Sequence, residues 1–367
     1  MITYHAEIGG DGMERKESFA AMLRAQCVCY PELRPQDLLK ALHQSVFGCG
    51  HLVTDEAGGL ETLRREAAEQ RDPAGIEMLG RDYCRVHLGF LNESGLSVES
   101  LFRLFCLSAE EPLGGMAALE EGLTVLLELA EAGELPVSYE EMAVAVEAWR
   151  TAGFPLCRHS AEFRKAYRPA YRVIRWDFVW RMLLMAEIDR LLQSGERVLV
   201  ALEGGAGSGK TTLADWLSRM YDCSVFHMDD YFLRPEQRTP ERLAEAGGNV
   251  DRERFLEEVL LPLRRGDVVY SRRYDCGTQT LCPVRETAPK ALNLIEGAYC
   301  LHPDLAEYYD LKVFLKIRPE CQRRRILRRN TPEFAERFFT EWIPMEQVYF
   351  EAMRIEETCH ITLEVDE

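Results

Sequence analysis

The segment Gly204-Gly205-Ala206-Gly207-Ser208-Gly209-Lys210-Thr211, followed by Thr212, constrains this chain more than any other. It fits G-x-x-x-x-G-K-[ST] and stands between an apolar, β-branched run at 198–202 and an amphipathic stretch at 210–221. That context predicts a strand, a glycine-rich turn and a helix. Glycines let successive backbone N–H groups turn inward, and the helix N-terminus adds its partial positive charge, so the segment can cradle an anion.

The pattern around the loop extends the prediction. Short apolar runs alternate with amphipathic stretches: 224–227 then 251–264, 292–295 then 303–309, 311–317 then 319–329. Such alternation predicts βαβ units around a parallel sheet. Before about residue 195 the text reads instead as helix after helix, as in the stripe Leu38, Leu39, Leu42 and Val46. Breaks are expected at Gly48 to Gly50, at Gly58 and Gly59, at 72–75, at Gly114 and Gly115, and at 153–155. Ser194 and Gly195 mark the change. The expectation is a mainly α-helical domain over 1–195 and an α/β P-loop NTPase domain, a doubly wound parallel sheet, over 196–367. A length of 367 residues suits two domains.

Forty-four Lys plus Arg against 61 Asp plus Glu leave a net charge of -17, which argues against a polyanionic partner such as nucleic acid or an anionic membrane surface. No apolar run reaches the roughly 18 residues of a membrane span. The best stretch, 178–192, carries Arg181, Glu187, Asp189 and Arg190. The first residues lack a basic segment followed by an apolar one, so a cytoplasmic setting is expected, with the twelve cysteines reduced. Two basic stretches interrupt the acidic background, 158–181 and 316–329, and they suit small phosphorylated ligands. A homo-oligomer is left open.

The chemistry expected at the loop is specific. Lys210 can reach the outer phosphates of a bound nucleotide, and Thr211 can offer its hydroxyl to Mg²⁺; ATPases, GTPases and small-molecule kinases share such a loop. The strand at 224–227 runs into His227-Met228-Asp229-Asp230-Tyr231-Phe232, placing carboxylates at the sheet edge where ligands bind in such folds. A carboxylate there can take the proton of an attacking hydroxyl. A later strand ends in Glu296-Gly297, a second acid for the metal's water shell. Arg323 to Arg329 lie on a helix that could close over a transferring phosphoryl group; a solvated basic face is the alternative.

These residues together resemble the uridine kinase and phosphoribulokinase family of P-loop kinases, over 196–367. The resemblance rests on the phosphate loop, on Met228 to Phe232, on Tyr274-Asp275, on Ile295-Glu296-Gly297 and on Arg324-Arg325-Ile326-Leu327-Arg328. It implies transfer of a phosphoryl group from ATP, with Mg²⁺, to a hydroxyl of a small molecule. By that similarity Asp229 is the catalytic base and a metal-side carboxylate, Lys210 the phosphate lysine, and Thr211 with Glu296 the magnesium shell. Arg325 and Arg328 stand as lid arginines, and Tyr274 where the family stacks a substrate base.

The chain also departs from the family. The acidic His-Pro-Asp segment that holds ribose hydroxyls is replaced by Ala246-Gly247-Gly248-Asn249-Val250-Asp251, and a histidine expected after the Tyr-Asp pair gives way to Gln279. After Asn330 only Arg337 remains of the usual lid arginines. Asp251, Gln279, Arg238 and Glu341 are therefore candidates for substrate contacts. Uridine or cytidine, another hydroxylated metabolite, and an ATP-dependent sensor with incidental turnover all stay open.

The first half carries a second cluster: His159, Ser160, Glu162, Tyr167, Arg168, Tyr171 and Arg172. It reads either as a pocket for a phosphate or planar ring or as a hydrogen-bonded structural joint. His43 and His51 read as structural histidines.

Overall fold

The computed structural model describes residues 2–6, 14–49, 56–69, 75–110 and 113–365. His51, with the rest of the Gly50 to Leu52 segment and most of the break at 72–75, lies outside them. The chain divides into two compact units. One runs from Ile188 to the end and takes in strand β1 (Ile2–Ala6); the other is the intervening chain up to Glu187. The change falls inside the helix Val179–Leu192, ahead of the Ser194–Gly195 break.

The intervening unit is mainly α, as expected. Its helix Pro35–Phe47 shows why: proline opens the first turn, the Asp37 carboxylate accepts from the Arg34 N–H, and Leu38, Leu39, Leu42 and Val46 are all buried. Gly48, at φ 59°, ends it. Gly58 and Gly59 do not break the chain; they sit inside the helix Glu56–Glu69. A Cβ on Gly59 would stand 3.1 Å from the Phe102 ring, so glycine lets this helix lie close to the helix Val98–Glu110. A small antiparallel sheet, not foreseen, crosses the unit in the order β2 (Ile76–Leu79), β3 (Tyr83–His87) and β4 (Tyr171–Arg175).

The other unit is built on β5 (Val198–Gly204), every residue of which is buried. It continues with β6 (Cys223–His227), the short strands β7 (Val269–Ser271), β8 (Tyr274–Asp275), β9 (Thr280–Leu281) and β10 (Arg285–Thr287), then β11 (Leu292–Glu296), β12 (Leu311–Ile317) and β13 (Ile361–Val365). The main sheet has the order β1-β13-β12-β5-β11-β6 and is parallel at every pairing. Strand β1 covers the open edge of β13. Helices follow β5 at Lys210–Met220 and β12 at Pro319–Arg329. The stretch 252–265 is one helical run with a π-turn at Leu256–Leu260, whereas the helix expected over 303–309 shrinks to one turn, Pro303–Ala306. The chain leaves β5 toward β6 and β12 toward β13, on opposite sides, so the crevice at the carboxyl ends of β5 and β12 lies at a topological switch point. This is the doubly wound P-loop NTPase fold.

Candidate active site

Strand β5 delivers the chain into the phosphate loop, and the loop is held from three sides. Gly204, Gly207 and Gly209 take φ values of 151°, 76° and 96°, a region that disfavours any side chain. A Cβ on Gly204 would lie 2.5 Å from the Leu315 carbonyl oxygen of β12. Lys210 Nζ donates to the carbonyls of Gly204 (2.7 Å) and Gly205 (3.1 Å). From the helix Pro319–Arg329, Gln322 donates to the Ala206 carbonyl at 2.8 Å and Arg325 to those of Gly207 and Ser208 at 3.1 and 3.4 Å. The buried Glu346, on the helix Ile343–Ala352, accepts from the Ala206 N–H at 2.8 Å.

The acidic side of the site follows from strand register. Glu296 ends β11 opposite His227 of β6 and Leu202 of β5, so its carboxylate stands between the loop and the acidic strand end. Thr211 Oγ1 donates to Glu296 Oε2 at 3.1 Å, and Glu296 Oε1 lies 2.6 Å from His227 Nδ1. That hydrogen bond raises the His227 pKa above its ordinary value. Asp229 follows in the next turn. Crowding by the site walls raises its pKa, Lys210 opposes the shift, and Glu296 adds to it. Its side chain is nonetheless exposed at the mouth, so solvent screening discounts the effect.

Directly behind the loop, Glu203 is fully buried and accepts four hydrogen bonds: from the N–H groups of Gly204, Tyr299 and Leu301, and from the Tyr349 hydroxyl. Burial still lifts it to about 7.

The structure thus brings Lys210, Thr211, Asp229, Glu296 and Arg325 to one sheet edge. Thr212 is exposed beside Thr211, and Arg328 is exposed further along the arginine helix. The other expected contacts are placed differently. Asp251 is buried; it caps the helix that follows, accepting from the Arg254 N–H at 3.3 Å and from Gln237 Nε2 at 2.9 Å. Tyr274 is only 3% exposed and its hydroxyl is an unsatisfied buried group. Gln279 sits exposed at the tip of the β8–β9 hairpin at φ 56°. Arg238 donates to the Leu233 carbonyl, and Glu341 pairs with Arg337 at the surface. Sequence reasoning missed the roles of Glu203, Gln322 and Glu346, and it quoted His227 only as part of the strand end.

Oxygen donors from Thr211, Glu296 and Asp229 suit a hard cation, and Mg²⁺ is usually held by one or two carboxylates together with substrate phosphates. The inward-turned loop with Lys210 suits a triphosphate. The residues fit both groups. Among the described residues no cluster of three or more His, Cys, Asp or Glu side chains could hold a metal by itself.

In the intervening unit, His159, Tyr171 and Arg172 line a cavity of about 640 Å³. Tyr167 and Arg168 do not: the Tyr167 hydroxyl accepts from the Glu32 N–H, and Arg168 ends a helix at φ 41°.

Fold and site define a P-loop NTPase domain, and its likeness among known proteins is to uridine kinase-like P-loop kinases. The chain is 30% identical over 181 residues to the bifunctional alpha-galactosidase/sucrose kinase AgaSK of Mediterraneibacter gnavus, covering 43% of this chain and 19% of that protein. It is 28% identical over 153 residues to a uridine kinase of Brevibacillus brevis, covering 39% of this chain and 69% of that protein. The chain therefore spans about a fifth of the first relative's length. A solved structure titled as a possible uridine kinase from Bacillus stearothermophilus is 21% identical, with a TM-score of 0.37, covering 49% of this chain and 98% of that one. No family model matches.

Proposed function

We propose that this protein is a small-molecule kinase that moves the γ-phosphoryl group of ATP to a substrate hydroxyl. The observation that carries the reading is the convergence of Lys210, Thr211, Glu296 and Asp229 at the carboxyl edge of one parallel sheet. The loop backbone and Lys210 bind and orient the triphosphate. Thr211 and Glu296 hold the Mg²⁺, which when bound neutralises phosphate charge. Asp229 takes the proton of the acceptor hydroxyl as its oxygen bonds to the γ-phosphorus and ADP departs. Arg325, already seated on the loop, adds positive charge over the transferring group.

Of acceptors, a nucleoside such as uridine or cytidine is the first reading, supported by the Brevibacillus relative. A sugar-type polyol is the second. Two observations favour it: Asp251 is committed to its helix cap, and the Tyr274 ring is buried rather than presented to a base. The relative named as a sucrose kinase points the same way. The test is ADP release on addition of single nucleosides and sugars with Mg²⁺ and ATP. Release that jumps with one acceptor and is lost in Asp229→Asn supports the reading. Slow hydrolysis indifferent to every acceptor would instead support a nucleotide sensor.

A further inference from the structure

The cavity of the intervening unit has two kinds of wall. One is apolar, with Phe102, Phe105 and Val173; the other is polar, with Lys40, Tyr171, Arg172 and the acidic Glu66 that pairs with Arg172. The polar wall is set in place by an elaborate buried support. Arg85, 1% exposed, donates to Glu77, Gln26 and Gln44 at 2.9, 2.9 and 2.7 Å, and its guanidinium lies 4.8 Å from the centre of the Tyr171 ring. The Tyr171 hydroxyl meets His159 Nε2 at 2.7 Å. Satisfied buried networks of this kind fix side-chain orientation.

Lys40 is different. It is partly buried, and its ammonium donates to the Cys157 carbonyl at 3.0 Å. Among the described residues no carboxylate stands within salt-bridge distance of it. Asp37, one turn away, is committed to His159 Nδ1 at 3.0 Å and to the N–H and hydroxyl of Ser160 at 2.9 and 2.6 Å. Burial, reinforced by the Arg85 charge, lowers the Lys40 pKa to about 8. Asp37 attracts this ammonium only from beyond ion-pair distance, so a partly desolvated cation on the cavity lining has room for a closer anion. Arg172 stands on the same lining, paired with Glu66 at 2.8 Å and 5.7 Å from the centre of the Phe105 ring.

We propose that this cavity is a second small-molecule site, taking a flat-ringed metabolite with a phosphate or similar anionic group. The anion meets Lys40 with Arg172 beside it, and the ring lies against Phe102, Phe105 and Tyr171. At about 640 Å³ the cavity falls within the roughly 300–1,000 Å³ of small-ligand sites. Nothing in this assignment depends on the kinase reading, because every residue it uses lies in the unit without the phosphate loop.

Pyridoxal 5′-phosphate is a suitable probe, being a flat ring with both a phosphate and an aldehyde. The Lys40 amine would add to the aldehyde carbon with loss of water, and borohydride would supply the hydride that fixes the adduct. The full chain is treated with limiting probe, reduced and peptide-mapped, with pyridoxal, which lacks the phosphate, as the parallel arm. We expect Lys40 to be labelled at least tenfold faster than the exposed Lys16 and Lys165, and this preference over Lys16 to fall at least severalfold with pyridoxal, whose aldehyde is partly closed as a hemiacetal and whose rates are therefore scaled to Lys16. Arg172→Gln should cut Lys40 labelling severalfold while Lys210 labelling and the melting profile hold. Arg172→Gln with Glu66→Gln separates lost cation from bared acid and should also fall short of wild type. The same preference for Lys40 over Lys16 with both probes, or Lys40 reacting no faster than Lys16, would overturn the proposal.

Discussion

Glu346 reaches the phosphate loop from a helix 140 residues further along the chain, and its Oε2 accepts the Ala206 backbone N–H at 2.8 Å. A carboxylate thus occupies a donor of the cradle that the loop builds for an anion. Burial raises its pKa; the Lys210 charge and the Ala206 N–H oppose the shift, and the Asp229 carboxylate adds to it. Glu346→Gln keeps an acceptor for Ala206 and removes the charge. The expected result is triphosphate affinity tighter by about three- to tenfold, or roughly 1 kcal/mol, read by calorimetry with a non-hydrolysable ATP analogue. Unchanged or weaker binding would mean that the carboxylate orders the loop rather than competing with phosphate.

Asp229 predicts an acid limb in the rate profile. Its folded pKa is raised above the usual carboxylate value, so the proton-accepting form is lost as pH falls through that raised value, earlier than for an ordinary aspartate. Asp229→Asn should lower kcat by about 10²–10⁴-fold, leave ATP binding nearly unchanged and abolish that limb. Stopped-assay rates across pH check all three.

Glu203 links the site to stability. Its pKa rises from an ordinary 4.5 to about 7 on folding, so its stabilising contribution is fully present below about 4.5 and is lost as pH rises toward 7. Urea denaturation at a series of pH values should show stability falling over that window and levelling above it. Glu203→Gln flattens that dependence. It also leaves some of the four donors around Oε1 and Oε2 poorly satisfied, at a cost of about 1–3 kcal/mol.

If Glu296 holds Mg²⁺ as proposed, it and its partner His227 govern the metal requirement. Glu296→Gln removes the charge that both Thr211 and His227 address, so the Mg²⁺ concentration for half-maximal turnover should rise about tenfold or more. His227→Asn, which removes only the orienting partner, should raise it less. Mg²⁺ titrations at fixed ATP separate the two.

The strand-loop-helix core was legible because the motif sits between a short continuous apolar run and an amphipathic stretch, as a buried parallel strand and its helix require. Strand register then brings Glu296 opposite His227. Asp251 carries a second signal: the residue stands at the head of a helix, where an aspartate that accepts the N–H three residues on is a cap. The small sheet of the intervening unit was hidden because Arg85, Arg172 and Arg175 break the apolar alternation. Arg85 is buried only by virtue of Gln26, Gln44 and Glu77, partners that lie far away in sequence or on another strand. Glu346 carries no motif, and only folding brings it to Ala206.

The central claim is substrate-dependent phosphoryl transfer at the Lys210 loop, and coupled ADP release measures it directly. With ATP, Mg²⁺ and a panel of nucleosides and sugars, the account predicts that one acceptor raises the rate at least a hundredfold over background. Lys210→Ala and Asp229→Asn should each remove that increment. An increment that survives both substitutions would contradict the assignment of the site, and an acceptor-independent rate across the panel would contradict the kinase reading itself.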